Sequence, residues 1–236
     1  MNNSVVNSFL TPKPKAFEWT SFYHDIAESI LRFKNSRKEL IDLILEIHKK
    51  SGRTTKFLEN KTDIDPFTVM SAFNMSLKPE SAELLQKNYA ESLGVKYNIK
   101  ENNFLIPVVD NRNLVFLKEG DKKQFDALWN CFEEALNYID NASFTDSLNE
   151  VLVFAGGKFV TISIVLYIIS PDRFISLDKN TVSLIEMIVN RTVDIKKFKA
   201  DDYLGLLNEL GGCYSEKLSN FKSNKEVVLG SYLNAA

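Results

Sequence analysis

The 236-residue chain carries a formal net charge of −2, with 44% hydrophobic and 25% charged side chains and a pI near 5.8. That composition is ordinary for a globular protein. It excludes a strongly basic nucleic-acid protein while leaving room for a local basic face, and the length allows one large domain or two small lobes with a sizeable core.

In chain order, residues 1–16 are polar, with a short apolar patch and two prolines, and predict a flexible N-terminal arm. Thr20 or Ser21 can cap a first helix to about Lys34, with Phe22, Ile26, Ile30 and Phe33 close to helical spacing. Asn35 and Ser36 break and re-cap a second helix, Arg37 to Lys50, with Leu40, Ile41, Ile44, Leu45 and Ile47 inward. The two are expected to pair as an antiparallel hairpin ended by Gly52. Residues 53–65 read as a polar loop. Asp65-Pro66 opens a short helix to Phe73, and Pro79 opens another to about Leu93, closed by Gly94.

Residues 98–120 are the one region of extended character: FLIPVV and NLVFL flank Asp110-Asn111-Arg112-Asn113, as in a small β-hairpin. Helix returns over Asp121 to Asp140, with Phe125, Leu128, Trp129, Phe132, Leu136 and Ile139 on one face. Ser143 can cap a helix through Val153. The Gly156-Gly157 turn and an apolar helix follow, then helices over about Lys179 to Asn190, Ala200 to Leu210 and Lys225 to Leu233. The expected fold is mainly α, a multi-helix domain with a small β-hairpin near the middle. Its parts are a helical lobe over 17–97, a β-hairpin or linker region over 98–120 and a second helical lobe over 121–236.

Cys131 and Cys213 lie far apart, outside any CxxC pair, and read as buried free thiols. With no signal-peptide pattern at the N-terminus, they point to a reducing, cytoplasmic setting. The longest apolar run, Val160 to Ile169, falls far short of the roughly 18 residues that spanning a bilayer needs. His24 and His48 share no metal-ligand spacing with Asp, Glu or Cys, so neither a metal nor another cofactor is expected.

The most informative stretch is Phe154 to Thr181, FAGGKFVTISIVLYIISPDRFISLDKNT. A glycine pair and Lys158 open an apolar helix, and an apolar hook leads to Asp178, an N-cap for the next helix. Such a turn can aim backbone N–H groups of Gly156, Gly157 and Lys158 at a phosphate; equally, small residues there can allow close helix packing. It lacks the GxxxxGK[ST] spacing of a Walker loop. Lys49, Lys50, Arg53, Lys56 and Lys61 cluster among hydroxyl residues after the second helix, a pattern that suits phosphate contacts as well as a solvated helix end. Lys196, Lys197 and Lys199 are flanked by acids and read as plain surface. Trp19, Phe22, Tyr23, Phe67, Phe73 and Trp129 could stack bases, but at helical spacing they read first as core.

The segment from Gly157 to Asp178 is similar to the helix-hairpin-helix of helical DNA glycosylases, in which the aspartate stabilises charge on the sugar. That resemblance makes Asp178 the alternative catalytic residue. The turn here reads Ala155-Gly156-Gly157 rather than Gly-x-Gly, and Lys158 stands one place early for a nucleophile.

A broader resemblance covers most of the chain. Phe17-Glu18-Trp19 with Phe22-Tyr23, Arg37-Lys38-Glu39-Leu40-Ile41, Asp65-Pro66-Phe67 through Phe73-Asn74, Ile106-Pro107-Val108, Leu128-Trp129 through Ala135-Leu136, and Pro171-Asp172-Arg173-Phe174 with Leu177-Asp178 resemble the start of McrB-like restriction proteins. The resemblance implies a recognition region for double-stranded DNA, modified or not. In that family it precedes an AAA+ GTPase motor that recruits a nuclease subunit. The expected function is DNA binding without catalysis of its own. The phosphate contacts would be Gly156, Gly157, Lys158, Lys49, Lys50, Arg53 and Lys56. Two other classes stay open: a glycosylase- or lyase-like enzyme using Asp178, and a protein-interaction domain.

Overall fold

A computed structural model describes residues 6, 8–99, 106–109, 121–138, 140–216, 218 and 220–234. Ten α-helices lie among them: α1 (Trp19–Leu31), α2 (Arg37–Lys50), α3 (Pro66–Phe73), α4 (Pro79–Leu93), α5 (Lys122–Asn137), α6 (Asn141–Ala155), α7 (Phe159–Ile169), α8 (Lys179–Val189), α9 (Ala200–Glu216) and α10 (Asn224–Leu233). The mainly helical class read from the periodicity is therefore the class observed.

Helix α7 has no polar face; Thr161 to Ile169 are all buried, as a helix apolar all round requires. It packs against α1, α3 and α5, and α1 in turn meets α3, α4 and α5. Helices α5 and α6 pair closely, α9 bridges α6 and α8, and α10 lies on α8. A single buried cluster takes residues from both of the stretches read as lobes, from Trp19 and Ile44 to Phe174 and Leu229.

Local chemistry sets the helix ends. The Asp65 carboxylate caps α3, with Pro66 at its first position, where a missing N–H costs nothing. Asp121 and Gln124 form a capping box at the start of α5. Gly94, at φ 70°, closes α4 in the left-handed region that glycine enters without strain.

Several elements differ from the sequence reading. Helix α1 starts at Trp19, because the Thr20 hydroxyl donates to the Phe17 carbonyl at 3.0 Å instead of capping. Helix α6 starts at Asn141, and Asp140 rather than Ser143 caps it: the Ser143 N–H donates to the Asp140 carboxylate at 2.8 Å. Helix α9 runs through Gly211 and Gly212 to Glu216. Helix α2 packs chiefly on α4, while α1 turns to α7, so the expected hairpin of the first two helices is not the principal packing. In its described part the N-terminal arm is fastened to the C-terminal end. The Asn220 amide donates to the carbonyls of Val6 and Phe9 at 2.8 and 3.2 Å, and Asn234 bonds Leu10 through both its N–H and its carbonyl.

The small β-hairpin is not supported. No strand occurs among the described residues, and most of the two expected arms, residues 104–105 and 110–117, lies outside them. The part that is described makes one isolated bridge, Val109 to Met75, and it is parallel, not antiparallel. Asn74 supplies the reason: its side-chain amide donates to the Pro107 carbonyl at 2.7 Å, and its own carbonyl accepts from the Val109 N–H at 3.3 Å.

Candidate nucleic-acid interface

Gly156–Lys158 form a 3-10 turn between α6 and α7, and Lys158 takes the N-cap position of α7 without a capping hydrogen bond from its side chain. A Cβ placed on Gly157 would meet nothing within 4 Å, so close helix packing is not what calls for glycine there. The half-buried Lys158 lies near enough to Asp65 for its charge to draw that carboxyl's pKa downward. Burial acts more strongly and in the opposite sense, leaving Asp65 at about 6 despite the Thr68 hydrogen bonds of 2.7 and 2.8 Å. The turn thus leaves room over Gly157, next to a lysine whose charge also acts on an internal acid.

Asp178 lies at the N-terminus of α8 with both oxygens engaged. One accepts from the backbone N–H groups of Asn180 and Thr181 at 3.0 and 3.3 Å. The other accepts from the hydroxyls of Thr181 and Ser176, each at 2.7 Å. Four donors on one carboxylate, three of them from the helix it opens and one from the preceding Ser176, describe a cap.

The basic segment lies elsewhere, at the C-terminal end of α2. Lys49 and Lys56 are exposed, and Lys50 pairs with Glu46 at 2.9 Å one turn back. Arg53 is half-buried; among the described residues its guanidinium has no ion pair, and its Nε is buried without a hydrogen-bond acceptor. It follows His48, whose Nε2 meets the Tyr89 hydroxyl at 3.2 Å and whose pKa is pushed down to about 4 by burial and then by the Arg53 charge. Lys49, Lys50, Arg53 and Lys56 thus lie at and just after the C-terminal end of α2, with Arg53 acting on His48, whereas Gly156–Lys158 precede α7 and Lys158 acts on Asp65.

The aromatic residues considered for base stacking are core. Trp19, Phe22, Tyr23, Phe67, Phe73 and Trp129 are between 0 and 2% exposed and meet edge-on, as between Tyr23 and Phe73 at 4.9 Å. Arg37, read as the start of α2 and within one of the McrB-like landmarks, is an anchor. It pairs with Asp63 at 3.2 Å and with Asp126, and lies 5.7 Å from the centre of the Trp129 ring. Hydrogen bonds from Lys122 and then Arg37 hold the Asp126 carboxyl below its usual range. These groups line a cleft of about 630 Å³, but its cations are matched by carboxylates, Lys34 by Glu133 included, so it offers no uncompensated charge. The anchoring role of Arg37 is not written in the local sequence, since its partners come from two other parts of the chain.

Cys131 and Cys213 are buried free thiols, and burial pushes Cys131 up to about 12. Among the described residues no group of His, Cys, Asp or Glu could hold a metal, and no helix is long and apolar enough to cross a membrane.

By sequence the chain belongs to the family described as a domain of unknown function (DUF8425), which matches residues 19–226. No curated protein and no solved structure matches it.

Proposed function

We propose that this protein is a DNA-binding module that holds duplex DNA by its phosphates along the basic edge at the end of α2. The observation that carries the reading is Arg53, a half-buried guanidinium without an ion pair among the described residues, flanked by the exposed Lys49 and Lys56. Desolvating a charge without a partner is unfavourable, and an incoming phosphate supplies the missing acceptor. Such contacts are independent of sequence and depend on salt. Lys158 and the backbone of Gly156 and Gly157 form a second, separate contact in this reading. The McrB-like landmarks support a finer proposal: the module reads DNA, modified cytosine included, for an AAA+ motor and a nuclease subunit. Asp178 is a helix cap in this reading, and the chain has no chemistry of its own.

The test is fluorescence anisotropy of the purified chain on matched duplexes, with and without modified cytosines, at ~50 and ~200 mM salt. We expect binding that weakens steeply with salt. Replacing Lys49, Arg53 and Lys56 together by alanine should weaken it on every duplex alike and flatten the salt slope by about 3. No binding at the lower salt overturns the reading in favour of a protein-interaction domain, and tighter binding to the modified duplex supports its finer form.

A further inference from the structure

A cavity of about 320 Å³ between the start of α6, α9 and the start of α10 has two cations on its lining, Arg173 and Lys222. Both are exposed, and neither has an ion pair among the described residues, whereas Arg37 and Arg191 are paired with carboxylates. The carboxylates around the cavity are engaged elsewhere. Asp172, also on the lining, pairs with Lys225 at 2.6 Å, Glu226 accepts from the Lys222 backbone N–H, and Asp140 caps α6 through Ser143. Leu204 and Leu207 of α9 supply an apolar wall. Gly211, one turn after Leu207, adds no side chain to it, and a Cβ there would meet nothing within 4 Å.

Two contacts position Arg173. Its carbonyl accepts from the Asn224 amide at 2.9 Å, and the Asn224 oxygen accepts from the Tyr214 hydroxyl at 2.8 Å, which ties the Arg173 backbone to α9 through a buried side chain. Its guanidinium lies 4.9 Å from the centre of the Tyr138 ring. A guanidinium on an aromatic face keeps its N–H edge free for bidentate recognition of an oxyanion. Tyr138 is at φ 34°, the one bulky side chain among the described residues in the left-handed region, which otherwise holds glycines and the asparagines Asn60 and Asn190. Such strain persists only where the surroundings hold it, here the rings of Phe144 and Phe174 at 5.8 and 5.9 Å. The Tyr138 hydroxyl donates to Asn141 Oδ1, which leaves the exposed Asn141 amide nitrogen as a further donor on the lining.

We propose that this cavity binds a small molecule made of one ring and a phosphate monoester. The phosphate dianion matches the two cations: Arg173 offers it a pair of N–H groups, Lys222 a point charge and Asn141 a neutral donor. The ring lies against Leu204 and Leu207, in the space that Gly211 leaves open. The volume falls at the lower end of the ~300–1,000 Å³ of small-molecule pockets, which limits the ligand to about one ring beside its phosphate. Lys49, Arg53 and Lys56 take no part in the lining, so the site stands or falls independently of DNA binding.

The test is an NMR titration of the full chain with phenyl phosphate, inorganic phosphate and phenol. Phenyl phosphate should give saturable shifts centred on residues 138, 141, 173, 207–211 and 222. Inorganic phosphate and phenol, each with half of the recognised chemistry, should bind at least about tenfold more weakly. Arg173→Gln and Lys222→Gln, both at exposed positions, should each weaken phenyl phosphate by about tenfold. Gly211→Leu favours the helix and fills the open space beside Leu207, so it should abolish the shifts while a urea melt shows the fold intact. Arg53→Ala should leave them unchanged. The proposal is overturned by the absence of saturable phenyl phosphate shifts at ~10 mM, by equal binding of either comparison compound, or by shifts that survive Arg173→Gln and Gly211→Leu. Shifts lost in Arg53→Ala overturn it as well and place the phosphate on the basic edge.

Discussion

The backbone N–H of Arg53 donates to the carbonyl of His48 at 2.9 Å, closing the end of α2 and setting a guanidinium charge against a buried imidazole. Burial is the larger cause of the depressed His48 pKa and the Arg53 charge the smaller. Arg53→Ala should therefore raise the His48 midpoint from about 4 without restoring the ordinary 6.5. A proton NMR titration of the imidazole reads this directly. The same midpoint should rise when a phosphate neutralises Arg53, so a His48 titration unmoved by saturating duplex would place the DNA contact elsewhere.

His48 and Asp65 bend the pH dependence of stability in opposite directions. His48 has a folded pKa of about 4 against 6.5, so the unfolded chain binds more protons in between, and this stabilisation, complete above 6.5, is lost as pH falls toward 4. Asp65 has a folded pKa of about 6 against 3.8, so its contribution is complete below 3.8 and lost as pH rises through 6. Each effect is on the order of 3 kcal/mol, and over the shared window they largely offset. Urea melts between pH 4 and 7 should show His48→Gln losing stability, relative to wild type, as pH rises, and Asp65→Asn losing it as pH falls. Changes of the same sign in both variants would contradict the assignment.

How much of this was legible beforehand depends on how local each feature is. The caps at Asp65 and Asp178 and the ends of α2 and α4 are written within a few residues, and the structure has them where the pattern placed them. The hairpin over 98–120 was read from extended propensity alone, whereas the described piece is held by Asn74, distant in sequence. The ion pairs of Arg37 and the hydrogen bond of Gln86 to Tyr23 escaped notice for the same reason, since their partners come from other parts of the chain. Gln86 did leave a trace: it lies on the buried face of α4 with Leu85, Tyr89 and Ala90, a polar residue inside an apolar stripe.

Asp178→Asn separates a cap from a catalytic acid. Asparagine keeps the oxygen that accepts from the Asn180 and Thr181 N–H groups, but its NH₂ cannot accept from the Ser176 and Thr181 hydroxyls. The expected cost is about 1 kcal/mol of stability in a denaturant melt, with duplex affinity unchanged. Base release or strand scission by the wild-type chain that disappears in this variant would instead establish the glycosylase-like reading.

Glycine to alanine should have opposite signs at two helical positions. At Gly211, inside α9 and exposed, a Cβ would meet nothing within 4 Å, so alanine should stabilise by about 0.5–1 kcal/mol through helix propensity alone. At the buried Gly230 in α10, the same atom would come within 2.3 Å of the Phe221 ring, itself fully buried, and the ring has to move. Overpacking of this kind costs on the order of 1–3 kcal/mol. The close approach at Gly230 lets α10 lie against Phe221, one residue from Asn220, which holds Val6 and Phe9. Gly230→Ala should therefore loosen the N-terminal segment along with α10, visible as faster amide exchange at residues 6–10, whereas Gly211→Ala should leave those amides unchanged.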